Sequence, residues 1–358
     1  MEVNDLSLEE KVAQMFMFGI NDSNTDGILN LIKNNKIGGV ILYKKNYNTY
    51  EEMLNLIKKL KDANSSNKIP LFIAIDEEGG RVNRLPKEFI NIKSIYQVSQ
   101  LNDKNLIKEH ARIISDILVS SGINMNFSPV LDIYNNSSSN VLISRCFSSN
   151  KDVVADFGVE YMKTMQNNNL IPVVKHFPGH GCTKKDSHIF LPLIINYKEI
   201  LTKHIKPFEH AIKNDCDAIM VSHIVIRKLT KLLPTSLSKV FIKKYLREEY
   251  DYNNLVITDD IRMHPVNLLY KYISLRKAFS GENDIVLFKY RENDEQTINK
   301  VIEMVRKNKI SEEKINSSVS RILRIKEKYN INDNIDIVGC NITEANKAIQ
   351  ELNDKLNI

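Results

Sequence analysis

The chain has 358 residues, with 50 Lys and Arg against 44 Asp and Glu for a formal charge of +6, and it is 42% hydrophobic. This is an ordinary globular composition, which excludes a disordered or fibrous chain, and the length accommodates one large α/β domain or two medium ones. The charge is scattered among acids along helix-like segments such as EEKINSSVSRILRIKEK, whereas a nucleic-acid partner favours a concentrated basic stripe with interleaved aromatics.

The N-terminus, MEVNDLSLEEKVAQ, is acidic and lacks the basic and apolar regions of a secretory signal. No apolar run approaches the roughly 20 residues of a membrane span. Cys146, Cys182, Cys216 and Cys340 include no CxxC pair, so four reduced thiols are expected. A cytoplasmic protein with neither membrane nor nucleic-acid partner is the expectation; its oligomeric state is open.

Short apolar runs recur in chain order at 15–20, 38–43, 71–76, 123–132, 171–177, 217–223, 254–260 and 284–288. Each is bounded by residues such as Gly, Pro, Asn or Asp and reads as a buried strand. Between them lie stretches of helical period, including YEEMLNLIKKLKDA, NLIKEHARIISDILVSSG and ADFGVEYMKTMQNN. Ser7 followed by Glu10 fits a capping box ahead of the first helix. Eight strands alternating with helices predict parallel βα units closed as a (β/α)8 TIM-type barrel. Two amphipathic helices after residue 290 are expected to cover it. The division expected is a catalytic domain over 1–329 and a short helical tail over 330–358, packed on the barrel.

Five of the eight runs end in polar or ionisable residues: Asp76-Glu77-Glu78, Asp132, Lys175-His176, Ser222-His223 and Asp259-Asp260. A single Asp after a strand is equally a helix cap. Five together match a fold whose catalytic groups stand at the C-terminal ends of several strands.

Chemistry concentrates in three segments. KHFPGHGCTKKDSH (175–188) holds three of the chain's eight histidines, on a strand end that runs into a long loop broken by Pro178, Gly179 and Gly181. Three His and an Asp also compose a metal-ligand set. Pro178 and Gly179 remove the helix-face geometry between His176 and His180, so no metal and no cofactor is expected. Asp186 and His188 flank Ser187, which lets a carboxylate fix the tautomer of an imidazole that exchanges protons near neutral pH; an exposed loop with a helix start fits the same letters. LVITDDIRM (255–263) offers a strand-end carboxylate able to attack a sugar C1, or to bind a metal or a hydroxyl. In IAIDEEGGRVNRLP (73–86), Asp76 suits hydroxyl binding, Gly79-Gly80 permits a tight turn, and Arg81 and Arg84 are cations within reach. Neither GxxxxGK[ST] nor GxGxxG is present, which disfavours nucleotide binding.

In this order and spacing the three segments resemble glycoside hydrolase family 3, specifically its single-domain bacterial β-N-acetylglucosaminidases (β-N-acetylhexosaminidases) of peptidoglycan recycling. KHFPGHG with the downstream DSH is the distinguishing signature; DEEGGRVNRL, FSPVLDI, SRCFS, PTSLS and SVSRILRIKEKY support it, over residues 7–329. The resemblance implies a retaining exo-hydrolase of terminal β-linked GlcNAc on muropeptides or chitooligosaccharides, with Asp259 as nucleophile and His188, assisted by Asp186, as acid/base. It implies sugar contacts at Asp76, Arg84, Arg145, Lys175 and His176. Departures lie at His264-Pro265, in the region 266–280, at Cys146 in place of Ser, and in SGENDIVLF. Two alternatives stay open: a phosphorylase, since an imidazole acid/base does not repel phosphate, and a catalytically silent sugar-binding protein.

Overall fold

The structure is a computed structural model that describes residues 1–20, 25–135, 140–181, 192–271 and 273–356. Eight parallel strands form one sheet: β1 (Phe16–Gly19), β2 (Gly39–Leu42), β3 (Phe72–Ile75), β4 (Met125–Asn126), β5 (Ile171–Phe177), β6 (Ala218–Val221), β7 (Leu255–Thr258) and β8 (Val286–Phe288). β8 pairs with β1 through Phe16↔Val286 and Phe18↔Phe288. β7 meets β8 at the Ile257↔Ile285 bridge, where the Thr258 amide donates to the Ile285 carbonyl at 3.0 Å. The sheet is therefore closed, and every predicted apolar run contributes a barrel strand.

The helices outside the barrel follow from local sequence. α1 (Leu8–Gln14) starts in the expected capping box: Ser7 Oγ accepts from the Glu10 amide, and the Glu10 carboxylate accepts from the Ser7 amide at 2.9 Å. α2 (Tyr50–Asn64), α3 (Lys104–Ser120), α4 (Lys151–Asn167), α5 (Lys206–Lys213) and α6 (Asp294–Arg306) follow in order. α7 (Glu312–Lys328) and α8 (Ile342–Lys355) close the chain. The caps Thr49, Asp103, Asn150, Ser311 and Asn341 each accept a first-turn backbone N–H, the usual means of satisfying donors that a helix start leaves unpaired.

β4 is much shorter than its apolar run. Pro129 has no N–H to give, and pairing resumes only beyond it, where the Leu131 amide donates to Lys175 O at 2.7 Å and the Lys175 amide to Pro129 O at 3.1 Å. The interruption carries Asp132 past the end of β4.

Near the N-terminal ends of β2 and β3, a buried lysine ties α7 to the barrel. Lys326 of α7 is 3% exposed, donates to Gln14 Oε1 and to Gly38 O, and lies 4.5 Å from the centre of the Phe72 ring. Burial lowers its ammonium to about 7. The opposite, C-terminal end is where the ionisable strand ends gather.

Candidate active site

β3 ends in three acids with three different fates. Asp76 keeps 21% of its side chain exposed. Glu77 is fully buried and turned back on its own loop: its carboxylate accepts the amides of Gly79, Arg84 and Leu85 at 3.0, 2.5 and 3.2 Å. Burial pushes this carboxyl up to about 7, against those three amides, which favour its charged form. The turn requires glycine. Gly79 and Gly80 sit at φ +76° and +57°, and a Cβ on Gly80 would stand 2.5 Å from Ser94 Cβ.

Glu78 enters a buried ion cluster. The Arg145 guanidinium grips both of its oxygens at 2.8 Å, and Lys175 Nζ, only 2% exposed, lies 2.6 Å from Glu78 and 2.7 Å from Asp76. Burial alone would raise the Glu78 carboxyl; Arg145 and Lys175 more than reverse this and hold it well below the usual carboxylate range. Two cations thus face two carboxylates in a site too dry for any of them to stand alone.

Beside this cluster, His176 Nδ1 is 2.7 Å from Oδ2 of the fully buried Asp132, whose Oδ1 accepts the His180 amide at 2.6 Å. Burial again pushes the carboxyl up, and His176 and His180 outweigh it, bringing Asp132 from 3.8 to about 2. An ionised carboxylate only accepts, so Nδ1 of His176 carries the proton. A depressed pKa of this kind gives stability that is complete above the unfolded value near 4 and is lost as pH falls through about 2. Asp132→Asn is expected to remove on the order of 2 kcal/mol of that dependence, read as a flatter curve of unfolding free energy between about pH 5 and pH 2.

β7 ends in Asp259-Asp260. The Asp259 amide is tied to Val221 O of β6 at 3.0 Å, and Asp259 Oδ1 accepts the Asp260 amide at 2.8 Å. Asp260 Oδ1 accepts the backbone N–H groups of Arg262 and Lys289 at 2.9 and 3.0 Å. The second acid therefore ties two loops together, and both acids line a cleft of about 460 Å³ with Asp76, Arg84, Tyr43, Met263 and Leu287. Burial, then the nearby Asp260, Asp76 and Asp259, push the Tyr43 phenol well above its ordinary range, so it remains a donor at the cleft wall. Arg84 Nε–H is buried and has no hydrogen-bond partner among the described residues.

Of the expected site residues, Asp76, Arg84 and Asp259 share one cleft. Lys175, Arg145 and His176 do not line it; each is bonded to an acid, Lys175 to Asp76 and Glu78, Arg145 to Glu78, and His176 to Asp132. Asp186 and His188 lie outside the described residues. Arg81 is exposed and does not line the cleft. Among the described residues no group of three His, Cys, Asp or Glu is placed to hold a metal ion, and no helix is long and apolar enough to cross a membrane. Glu78, Glu77, Asp132 and Tyr43 were not singled out as site residues from sequence. The first three are legible only as polar strand ends, and Tyr43, directly after β2, carries no motif at all.

A barrel with carboxylates, a buried ion cluster and an unsatisfied arginine N–H at the C-terminal ends of its strands defines a (β/α)8 enzyme. Residues 7–325 match the glycosyl hydrolase family 3 N-terminal domain. The chain is 33% identical over 258 residues to a β-hexosaminidase of Psychromonas ingrahamii, covering 70% of this chain and 75% of that one. It is 30% identical over 325 residues to β-hexosaminidase A of Pseudoalteromonas piscicida, covering 83% of this chain and 54%, about half, of that longer relative. A glycoside hydrolase family 3 β-N-acetylglucosaminidase from Paenibacillus sp. str. FPU-7 superposes with a TM-score of 0.91 at 30% identity, over 98% of this chain and 69% of that one. The chain belongs to glycoside hydrolase family 3 and is a glycoside hydrolase.

Proposed function

We propose that the protein is a retaining exo-β-N-acetylglucosaminidase acting on the terminal β-linked GlcNAc of muropeptides or chitooligosaccharides, in the cytoplasm, as a step of peptidoglycan recycling. The observation that carries this reading is the division of labour at the end of β7. Both acids line the cleft that also holds Asp76 and Arg84, but Asp260 Oδ1 is taken up by the backbone amides of Arg262 and Lys289, whereas Asp259 Oδ1 accepts the amide of the next residue. Asp259 is the nucleophile that forms a glycosyl ester at C1, and water later cleaves that ester. The family resemblance and the β-hexosaminidase relatives support GlcNAc as the sugar.

Asp76 and Arg84 bind sugar hydroxyls, and the unsatisfied Arg84 Nε–H suits a hydroxyl or carbonyl oxygen. Lys175 and Arg145 act one step back by fixing Asp76 and Glu78; His176, fixed by Asp132, faces the same end of the barrel. His188, assisted by Asp186, protonates the leaving oxygen and then activates water. An imidazole beside a carboxylate nucleophile avoids the repulsion between two carboxylates and needs no strongly raised carboxyl pKa.

His188→Ala is expected to lower kcat/KM, which reports the glycosylation step, by about 10²–10⁴-fold on a substrate with a poor leaving group, and by much less on a nitrophenyl glycoside, which needs little protonation. Equal losses on both substrates contradict the acid role. The same assays run with and without phosphate distinguish acceptors: free GlcNAc in both supports hydrolysis, and GlcNAc-1-phosphate as the main product overturns it.

A further inference from the structure

The C-terminal helix reaches the site without touching it. Asn346 and Asn353 of α8 are seven residues apart, so they lie on one face, about 10 Å from each other along the axis. Asn346 Oδ1 accepts the Ile90 amide at 2.7 Å, and its Nδ2 donates to Glu88 O at 2.8 Å. Asn353 Oδ1 accepts the Lys93 amide at 2.9 Å, and its Nδ2 donates to Asn91 O at 3.1 Å. Each carboxamide thus takes the C=O of one residue and the N–H of the second one on, as a neighbouring strand would. The two contacts are three residues apart, about 10 Å of extended chain, which matches the two helical turns.

The segment held this way is the outer wall of the substrate loop. Ile92 O accepts the Gly80 amide at 2.7 Å, Asn91 Nδ2 donates to Gly80 O at 2.8 Å, and Asn91 Oδ1 accepts from Asn83 Nδ2 at 2.8 Å. On its inner side the same loop is held by Glu77, which accepts the amides of Gly79, Arg84 and Leu85, and by Tyr47, whose hydroxyl donates to Arg84 O at 3.0 Å. Arg84 therefore lies between these inner anchors and a wall that α8 helps to hold, together with His110 of α3, 2.9 Å from Lys93 O, and the Tyr50 amide of α2, which donates to Glu88. Lys355 fastens the far end of that helix to both oxygens of Glu109 on α3 at 2.8 Å.

We propose that Asn346 and Asn353 are positioning residues for substrate binding: through residues 88–93 they set the loop that carries Arg84, although they lie on the last helix of the chain. This assignment rests on the reading of Arg84 as a sugar-binding residue. Asn346→Ala/Asn353→Ala is therefore tested in two ways. Hydrogen–deuterium exchange of the ligand-free protein is expected to show amides 79–85 exchanging at least about tenfold faster, with the barrel strands unchanged. With an aryl β-GlcNAc glycoside, KM is expected to rise about tenfold while kcat stays within about twofold, a split that general destabilisation does not produce. Unchanged exchange at 79–85 in the folded variant overturns the proposal, as does a fall in kcat at constant KM. If the wild-type protein does not turn over the glycoside, the functional reading fails, and the exchange result still decides the role of the helix. Should the double variant not fold, Asn346→Ala, at a half-buried position, carries the same exchange measurement.

Discussion

Asp259→Ala is expected to lower kcat for an aryl β-GlcNAc glycoside by at least about 10⁴-fold, because it removes the group that bonds to C1. The fold should survive the change. Asp259 is anchored by its backbone amide to Val221 O, and neighbouring Thr258 Oγ1 accepts the Leu287 amide at 3.0 Å. Asp260→Ala makes the contrasting control. It strips two backbone N–H groups of their acceptor, so its expected effect is a stability loss of about 1–3 kcal/mol, measured by denaturant unfolding, with a smaller effect on turnover. Wild-type rates in Asp259→Ala, or a larger kcat loss in Asp260→Ala, would reverse the assignment of the two acids.

Lys175→Met is expected to be the most destabilising single change at the site. The ammonium is 2% exposed and lies within 2.7 Å of Asp76 and Glu78. Methionine keeps much of the volume but leaves Asp76 without that cation and Glu78 with Arg145 alone. Breaking a buried pair from one side costs about 3–5 kcal/mol, read from the denaturant midpoint at neutral pH. The folded fraction should also bind substrate poorly, since Asp76 no longer has a fixed position. A midpoint within experimental error of wild type would show that the cluster is not the support described here.

The barrel was legible because its signals are local. Each strand lies in a short apolar run closed by polar residues, and helix starts such as Ser7–Glu10 announce themselves within four positions. The β4 run misled on length for a local reason as well, the missing N–H of Pro129. The site was legible where chemistry coincides with a strand end: Asp76, Lys175-His176 and Asp259 all read directly. What escaped is pairing at long range. Nothing near Lys175 announces that it will meet acids about 100 positions earlier, and nothing in DEE separates the acid that faces the cleft from the one that folds back onto Gly79 and the one that meets Arg145. Asn346 and Asn353 look like ordinary surface asparagines until the segment 88–93 is laid beside them. The Asp–His pair expected at 186 and 188 remains a proposal, whereas the described residues contain a different one, Asp132 with His176.

The central claim, retention through an aspartyl intermediate on a GlcNAc substrate, is tested most directly by following hydrolysis of an aryl β-GlcNAc glycoside by proton NMR in phosphate-free buffer. The β-anomer of free GlcNAc should form first and then mutarotate. Release of the α-anomer first, or no release at all from the purified chain, would contradict it.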